Sequence, residues 1–222
     1  MREGYRAEEW AQRLEGLRIA LGFYQANEAS RDGAAQQCAV LAKATAEQMR
    51  LMQVQRQLEQ ETQGMSPPPG MTPPPAKGAW RFIDLPLNET LYRCFCYGQS
   101  ASAERLRNDF KLADRRWWRL KVKGLAHSHM WPALWEFSCS KKPPGGLEPF
   151  VEVCMAQGAS DEAMRYAQRM LPAEAVLAWL RLGEADMARR IAIQHKEKQP
   201  ELLSTIRAHA YEHEHEQRGK QL

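Results

Sequence analysis

The stretch "VEVCMAQGASDEAMRYA", Val151 to Ala167, decides the fold. Val151 and Cys154 stand three apart, Gly158 follows, and Ala163 and Tyr166 come five and eight residues after the glycine. Apolar positions three apart line one face of a helix. Glycine takes the left-handed conformation that ends a helix without a Cβ penalty. A small residue in the segment that follows lets a second helix approach closely. The stretch reads as helix, turn, helix.

The pattern recurs. Leu91, Cys94, Gly98, Ala103 and Leu106 keep the same spacings, as do Val176, Trp179, Gly183, Ala188 and Ile191. Between the first two copies, "GLAHSHMWPALWEF" supplies a further helix–turn–helix, with its bend at His127 to Met130 and Pro132 at a helix start. Repeats of about 25–30 residues cannot bury their apolar faces alone and must stack on one another. No period-two run bounded by turn signals occurs, so no sheet is expected. The predicted fold is all-α: an α-solenoid of stacked helical hairpins over 80–222, ending in a frayed, charged C-terminus.

Two long helices are expected ahead of the repeats, within 1–63. The first covers about Ala7 to Ala29, "SRDG" interrupts, and the second runs from about Gly33 to Gln63. In the second, Leu41, Ala44, Gln48, Leu51, Gln55 and Leu58 follow steps of three and four and form one seam. With two glutamines and an alanine, the seam is too polar for a free-standing coiled coil. It needs something larger to pack against, either its own second half or a partner. Between 64 and 79 lies "GMSPPPGMTPPPAKG", which holds six of the thirteen prolines. Proline fixes φ and removes a donor, so no helix crosses this segment, and a linker or loop insertion is expected there. A ligand for a proline-recognising domain is the other reading of it.

Composition narrows the function classes. Thirty-one basic and 27 acidic side chains give a net charge of +4, and mean hydropathy is -0.61. No apolar run approaches the roughly 20 residues that span a bilayer, and "MREGYRAEEW" lacks the apolar core of a signal peptide. The five cysteines have no metal-type spacing. They read as buried, reduced thiols of a cytosolic protein.

"DRRWWRLKVKGL", Asp114 to Leu125, joins two tryptophans to a run of basic residues. On a helix, Arg116, Arg119 and Lys123 share one stripe, while Trp117, Trp118, Val122, Gly124 and Leu125 share the other side. Only Lys121 interrupts the apolar face, and lysine can bury its stem there. The indoles are expected in the core, because base stacking needs exposed aromatics beside the charge. The cationic stripe is left to solvent or a partner. Near the C-terminus His209 and His213 have possible zinc spacing, with Glu212 or Glu216 nearby, but no third ligand comes from elsewhere. A solvated helix end is the expectation, and no metal or cofactor is predicted. No nucleophile elbow or phosphate-binding glycine loop is present, so no catalytic residue is assigned and the chain is not expected to be an enzyme. "KKPPGG", Lys141 to Gly146, reads as a loop between hairpins.

Three blocks carry a resemblance: "AKATAEQMRL" (Ala42 to Leu51), "DRRWWRLK" (Asp114 to Lys121) and "FSCSKKPPGGLEPFVEVCM" (Phe137 to Met155). They resemble the C-terminal helical region of the vacuolar protein-sorting subunit Vps-sixteen, of the HOPS and CORVET tethering complexes. The similarity runs from Leu17 to Lys196 in the family's order. A more distant Vps-sixteen-like relative, the partner of the second SM-type subunit in animals, shares the domain and is the alternative within the family. The resemblance implies a non-enzymatic scaffold on the cytosolic face of endosome, lysosome or vacuole membranes. It implies binding to the SM-type SNARE regulator Vps-thirty-three, alongside other tethering subunits and, indirectly, SNAREs. By motif, Ala44 and Arg116 are the implied contacts, with Leu41, Gln48, Leu51, Arg119 and Lys123 around them. The family's N-terminal β-propeller has no counterpart here, so the chain resembles the C-terminal part of a longer protein or a short form, and the proline-rich segment is longer than the family's connection. The alternative function is a basic α-solenoid that binds RNA or anionic phospholipid through Arg115, Arg116, Arg119 and Lys123. Nucleic acid is not expected under the leading reading.

Overall fold

The structure is a computed structural model that describes residues 2–28, 34–68, 81–140 and 143–219, with side chains described between 8 and 211. Among the described residues there are eleven helices and no strand. They are α1 (Arg2–Asn27), α2 (Ala34–Glu61), α3 (Leu87–Cys96), α4 (Ser100–Asp109), α5 (Asp114–His127), α6 (Trp131–Ser140), α7 (Glu148–Ala156), α8 (Ser160–Ala167), α9 (Pro172–Arg181), α10 (Ala185–Gln194) and α11 (Glu201–Gly219). The predicted all-helical class holds. By its internal contacts the chain forms two compact units, Met1–Leu112 and Ala113–Leu222. The division falls after α4, so the first repeat copy belongs with the two long helices.

Each repeat copy folds as its spacing dictates. Gly98, Gly158 and Gly183 have φ values of 71°, 68° and 82°. The amide after each glycine donates to the carbonyl five residues back: Gln99 to Cys94, Ala159 to Cys154 and Glu184 to Trp179, at 2.7, 2.9 and 2.9 Å. This is the Schellman arrangement that satisfies the last helical carbonyls. Ala103, Ala163 and Ala188 are all fully buried, as a close helix crossing requires. Two further helix ends make the same bonds without glycine. Lys111 (φ 47°) and His129 (φ 55°) take the left-handed conformation while Leu112 donates to Arg107 and Met130 to Leu125. The glycine rule finds three of these five turns and misses the other two.

In the first unit α1 packs on α2 and α3 on α4. A polar clamp seats the chain where it re-enters ahead of α3. Gln55 is completely buried, and its amide nitrogen donates to the Leu85 carbonyl (2.7 Å) and to Thr90 Oγ1 (2.9 Å). Glu59 accepts the backbone N–H groups of Phe82 and Ile83, at 2.6 and 3.3 Å. Arg81 donates back to the carbonyls of Thr62 and Met65. Around these bonds Leu58, Phe82, Leu91, Phe95 and Leu106 are buried. Residues 69–80 of the proline-rich segment lie outside the described residues.

In the second unit neighbouring helices pack in chain order, α7 on α8, α8 on α9 and α9 on α10, and α5 and α9 also each meet α7. Nearest-neighbour packing of this kind is how helical hairpins stack. Its centre is aromatic. Trp118 stacks on Phe137 at 4.0 Å between ring centroids, and Phe150 lies 6.4 Å from Trp118 and 5.2 Å from Tyr166. Trp117 is 1% exposed and Trp118 is partly buried, so both indoles are in the packing, as predicted. Lys121 lays its ammonium 4.3 Å from the centre of the Phe137 ring, which is how a cation is tolerated on that face.

The cysteine expectation needs correction. Cys94, Cys96 and Cys154 are buried, but Cys139 is exposed and Cys38 is half-buried. Cys139 lies near the end of α6, where the helix turns its last residues outward. Burial pushes the Cys94 and Cys154 thiols up from 9.0 to about 12. In the native chain at pH 8, iodoacetamide should therefore label Cys139 first and leave Cys94, Cys96 and Cys154 unmodified until denaturant is added. The same shifts set a pH dependence. A thiol whose folded pKa lies above its unfolded value stabilises the fold fully below about pH 9. That contribution is lost as pH rises from about 9 through 12, so alkaline titration should lower the denaturation midpoint. Rapid labelling of Cys154 in the folded state would contradict its placement.

Candidate functional site

The seam on α2 divides in two. Its lower half, Leu51, Gln55 and Leu58, is buried in the first unit. Its upper half, Leu41, Ala44 and Gln48, is exposed, with Leu41 at 44%. The stripe that faces inward there is shifted along by one residue: Ala42 is buried, and Thr45, Ala46 and Met49 are half-buried. A helix advances 100° per residue, so a one-residue shift moves a seam off the packed face. Leu51 is thus part of the unit's own packing, whereas Leu41, Ala44 and Gln48 form a surface.

That surface lies in a hairpin with further exposed apolar side chains. Val40 on α2 and Ile19 and Phe23 on α1 are each well over half exposed. Gln36, Gln37, Val40 and Leu41 line a shallow depression on α2. Large apolar side chains left open in this number are a feature of protein-contact surfaces. Ala44, with no side chain beyond Cβ, leaves the α2 backbone open to close approach.

In the second unit Arg115, Arg116, Arg119 and Lys123 are all exposed on α5. Asp114 opens the helix, where a carboxylate suits the N-terminal dipole, and the packed Trp117, Val122 and Leu125 fix which way the cations point. Among the described residues, no ion pair or side-chain hydrogen bond is found for Arg115, Arg116 or Arg119. The α2 set and the α5 set are therefore two surfaces, each defined within its own unit.

One arrangement was not visible in the sequence. The turn Pro143 to Gly146 and the start of α7 border α5 and enclose a cleft of about 220 Å³. Its walls include Arg115, Trp118, Arg119, Val122, Pro149 and Phe150. A second cleft of about 330 Å³ continues along α5 and α7 past Lys123 and shares Arg119, Val122, Pro149 and Glu152 with the first. Glu148 and Glu152 on the α7 side are ion-paired with Arg181, at 3.0 and 3.5 Å. Lys141 and Lys142 lie outside the described residues. His209 is on α11, and the side chain of His213 lies outside the described ones. Among the described residues no cluster of three or more His, Cys, Asp or Glu could hold a metal ion, and no helix is long and apolar enough to cross a membrane.

Helix pairs with glycine-capped turns, stacked in chain order within the second unit, mark this as an all-helical protein. Within that class the family described as "Vps16, C-terminal region" matches residues 13–220, and the chain belongs to it. It is 32% identical over 163 residues to the "Vacuolar protein sorting-associated protein 16 homolog" of Dictyostelium discoideum, covering 72% of this chain and 17% of that protein. To "Protein VACUOLELESS1" of Arabidopsis thaliana it is 32% identical over 153 residues, 68% of this chain and 16% of that one. A Drosophila melanogaster homologue with the same name as the first is 38% identical over 97 residues, 44% of this chain and 12% of its own length. The chain thus spans less than a fifth of the length of the relatives it matches.

Proposed function

We propose that this chain is a non-enzymatic scaffold segment of a HOPS- or CORVET-type tethering complex, and that it binds an SM-type SNARE regulator of the Vps-thirty-three kind. It acts in vesicle fusion and protein transport, peripherally on the cytosolic face of endosome, lysosome or vacuole membranes. The observation that carries the reading is membership of the Vps16 family across 13–220, whose members by name serve vacuolar protein sorting. Two structural facts support the chosen contacts, one in each unit. Ala44 is exposed on a helix face flanked by Leu41 and Gln48, and Arg116 is exposed on α5 next to Arg119 and Lys123. A small residue admits a partner helix closely, and an arginine can fork two hydrogen bonds onto a carboxylate.

The test is co-purification with the SM-type partner. Ala44→Asp places a charge in a close contact, and Arg116→Glu reverses one. Each should weaken binding by about 2–4 kcal/mol, enough to abolish recovery in a pull-down. Both positions are exposed, so helical circular dichroism should not change. Full retention of the partner by both variants would reject these contacts.

A further inference from the structure

We propose that the groove between α5 and α7 binds an extended acidic segment of a partner polypeptide. The groove lies within the second unit beside Arg116, shares Arg119 and Lys123 with the α5 set described above, and does not require the SM-type reading. Arg115, Arg119 and Lys123 stand four residues apart along α5 and all line the joined clefts. Successive cations are therefore about 6 Å apart along one wall. In an extended chain, every second side chain points the same way, about 6.6 Å from the last. Acidic residues at alternate positions match the ladder.

Shape selects an extended chain over a helix. The two overlapping clefts hold about 220 and 330 Å³, spread along the roughly 18 Å of α5 between Arg115 and His127. That cross-section suits a single extended strand, and a helix about 10–12 Å across does not enter it. The lining is also partly apolar. Val122 and Phe150 are nearly fully buried beneath it, and Pro143, Pro144 and Pro149 form part of the rim. The three prolines give side chains between the acidic positions apolar surface to meet.

Charge selects a polypeptide over a membrane. Glu148 and Glu152 stand on the opposite wall, and Arg181 offsets only one of those two charges. A flat sheet of anionic headgroups cannot follow the groove inward and would meet those carboxylates at its edge. A single chain can lay its acidic side on α5 alone. The proposal rests on Arg115 and Arg119, the two groove cations for which no side-chain partner is found among the described residues.

The experiment uses the full chain and a short fluorescein-labelled peptide alternating glutamate and leucine, with the glutamine–leucine peptide as control, read by fluorescence anisotropy. The glutamate peptide should bind at least about tenfold more tightly than the control, with an affinity that falls as salt rises. Arg115→Glu should weaken the glutamate peptide by roughly tenfold and leave the control unchanged. Glu152→Gln removes an opposing charge and should tighten the glutamate peptide by a few-fold, about threefold. Equal binding of the two peptides would overturn the proposal. So would indifference to both substitutions, or retention of the chain on phosphatidylserine vesicles with no displacement by the glutamate peptide.

Discussion

Replacing Phe150 by alanine is expected to lower the stability of the second unit by about 3–5 kcal/mol, the range for truncating a buried aromatic ring. Phe150, on α7, is 1% exposed and meets aromatic rings of three other helices. Its ring centre lies 6.4 Å from Trp118 of α5, 6.5 Å from Phe137 of α6 and 5.2 Å from Tyr166 of α8. Removing it leaves a cavity lined by rigid rings, which collapse poorly and so leave most of the lost contact unrecovered. Phe150→Leu keeps much of the volume and should cost less. Urea denaturation followed by tryptophan fluorescence measures both. An alanine variant within about 1 kcal/mol of the parent would show that these rings do not form one packed centre.

Gln55→Ala is expected to destabilise the first unit by about 2–4 kcal/mol, a large effect for an uncharged polar residue. The side chain is completely buried and is the donor that joins the middle of α2 to the Leu85 carbonyl and Thr90. Truncation removes its packing, deprives the Leu85 carbonyl of that donor and loosens the entry to α3. Thr90 keeps its own bond to the Pro86 carbonyl, so the loss is concentrated at Leu85. Gln55→Leu restores volume without the donor and should fall between parent and alanine. Hydrogen exchange should show lost protection in Leu87–Cys96 before α1 is affected. Equal stability of all three proteins would mean the clamp contributes nothing.

Much of the helix order can be read directly from the chain. Gly98, Gly158 and Gly183 mark turns because only a residue without Cβ occupies positive φ cheaply, and their neighbours repeat at fixed offsets. The placement of Trp117 and Trp118 follows from local periodicity, since their charged neighbours fall on the other side of the same helix. Lys111 and His129 show where that reading stops. Both adopt the glycine conformation because the bonds at the helix end offset the strain, and their side chains carry no signal of it. On α2 the steps of three and four place Leu51, Gln55 and Leu58 in the unit's own core and carry Leu41, Ala44 and Gln48 onto an exposed face. A period near 3.6 lets two adjacent seams look equally regular over a few turns.

The order of helices, the glycine-capped turns, the inward tryptophans and the family are properties of the sequence alone, because each depends on residues close together in the chain. The partner of Gln55, the exposure of Cys139, and the meeting of the Pro143–Gly146 turn with the arginines of α5 were decided only by the tertiary structure. Each of these is set by which distant surface a side chain meets on packing, and no local spacing encodes that.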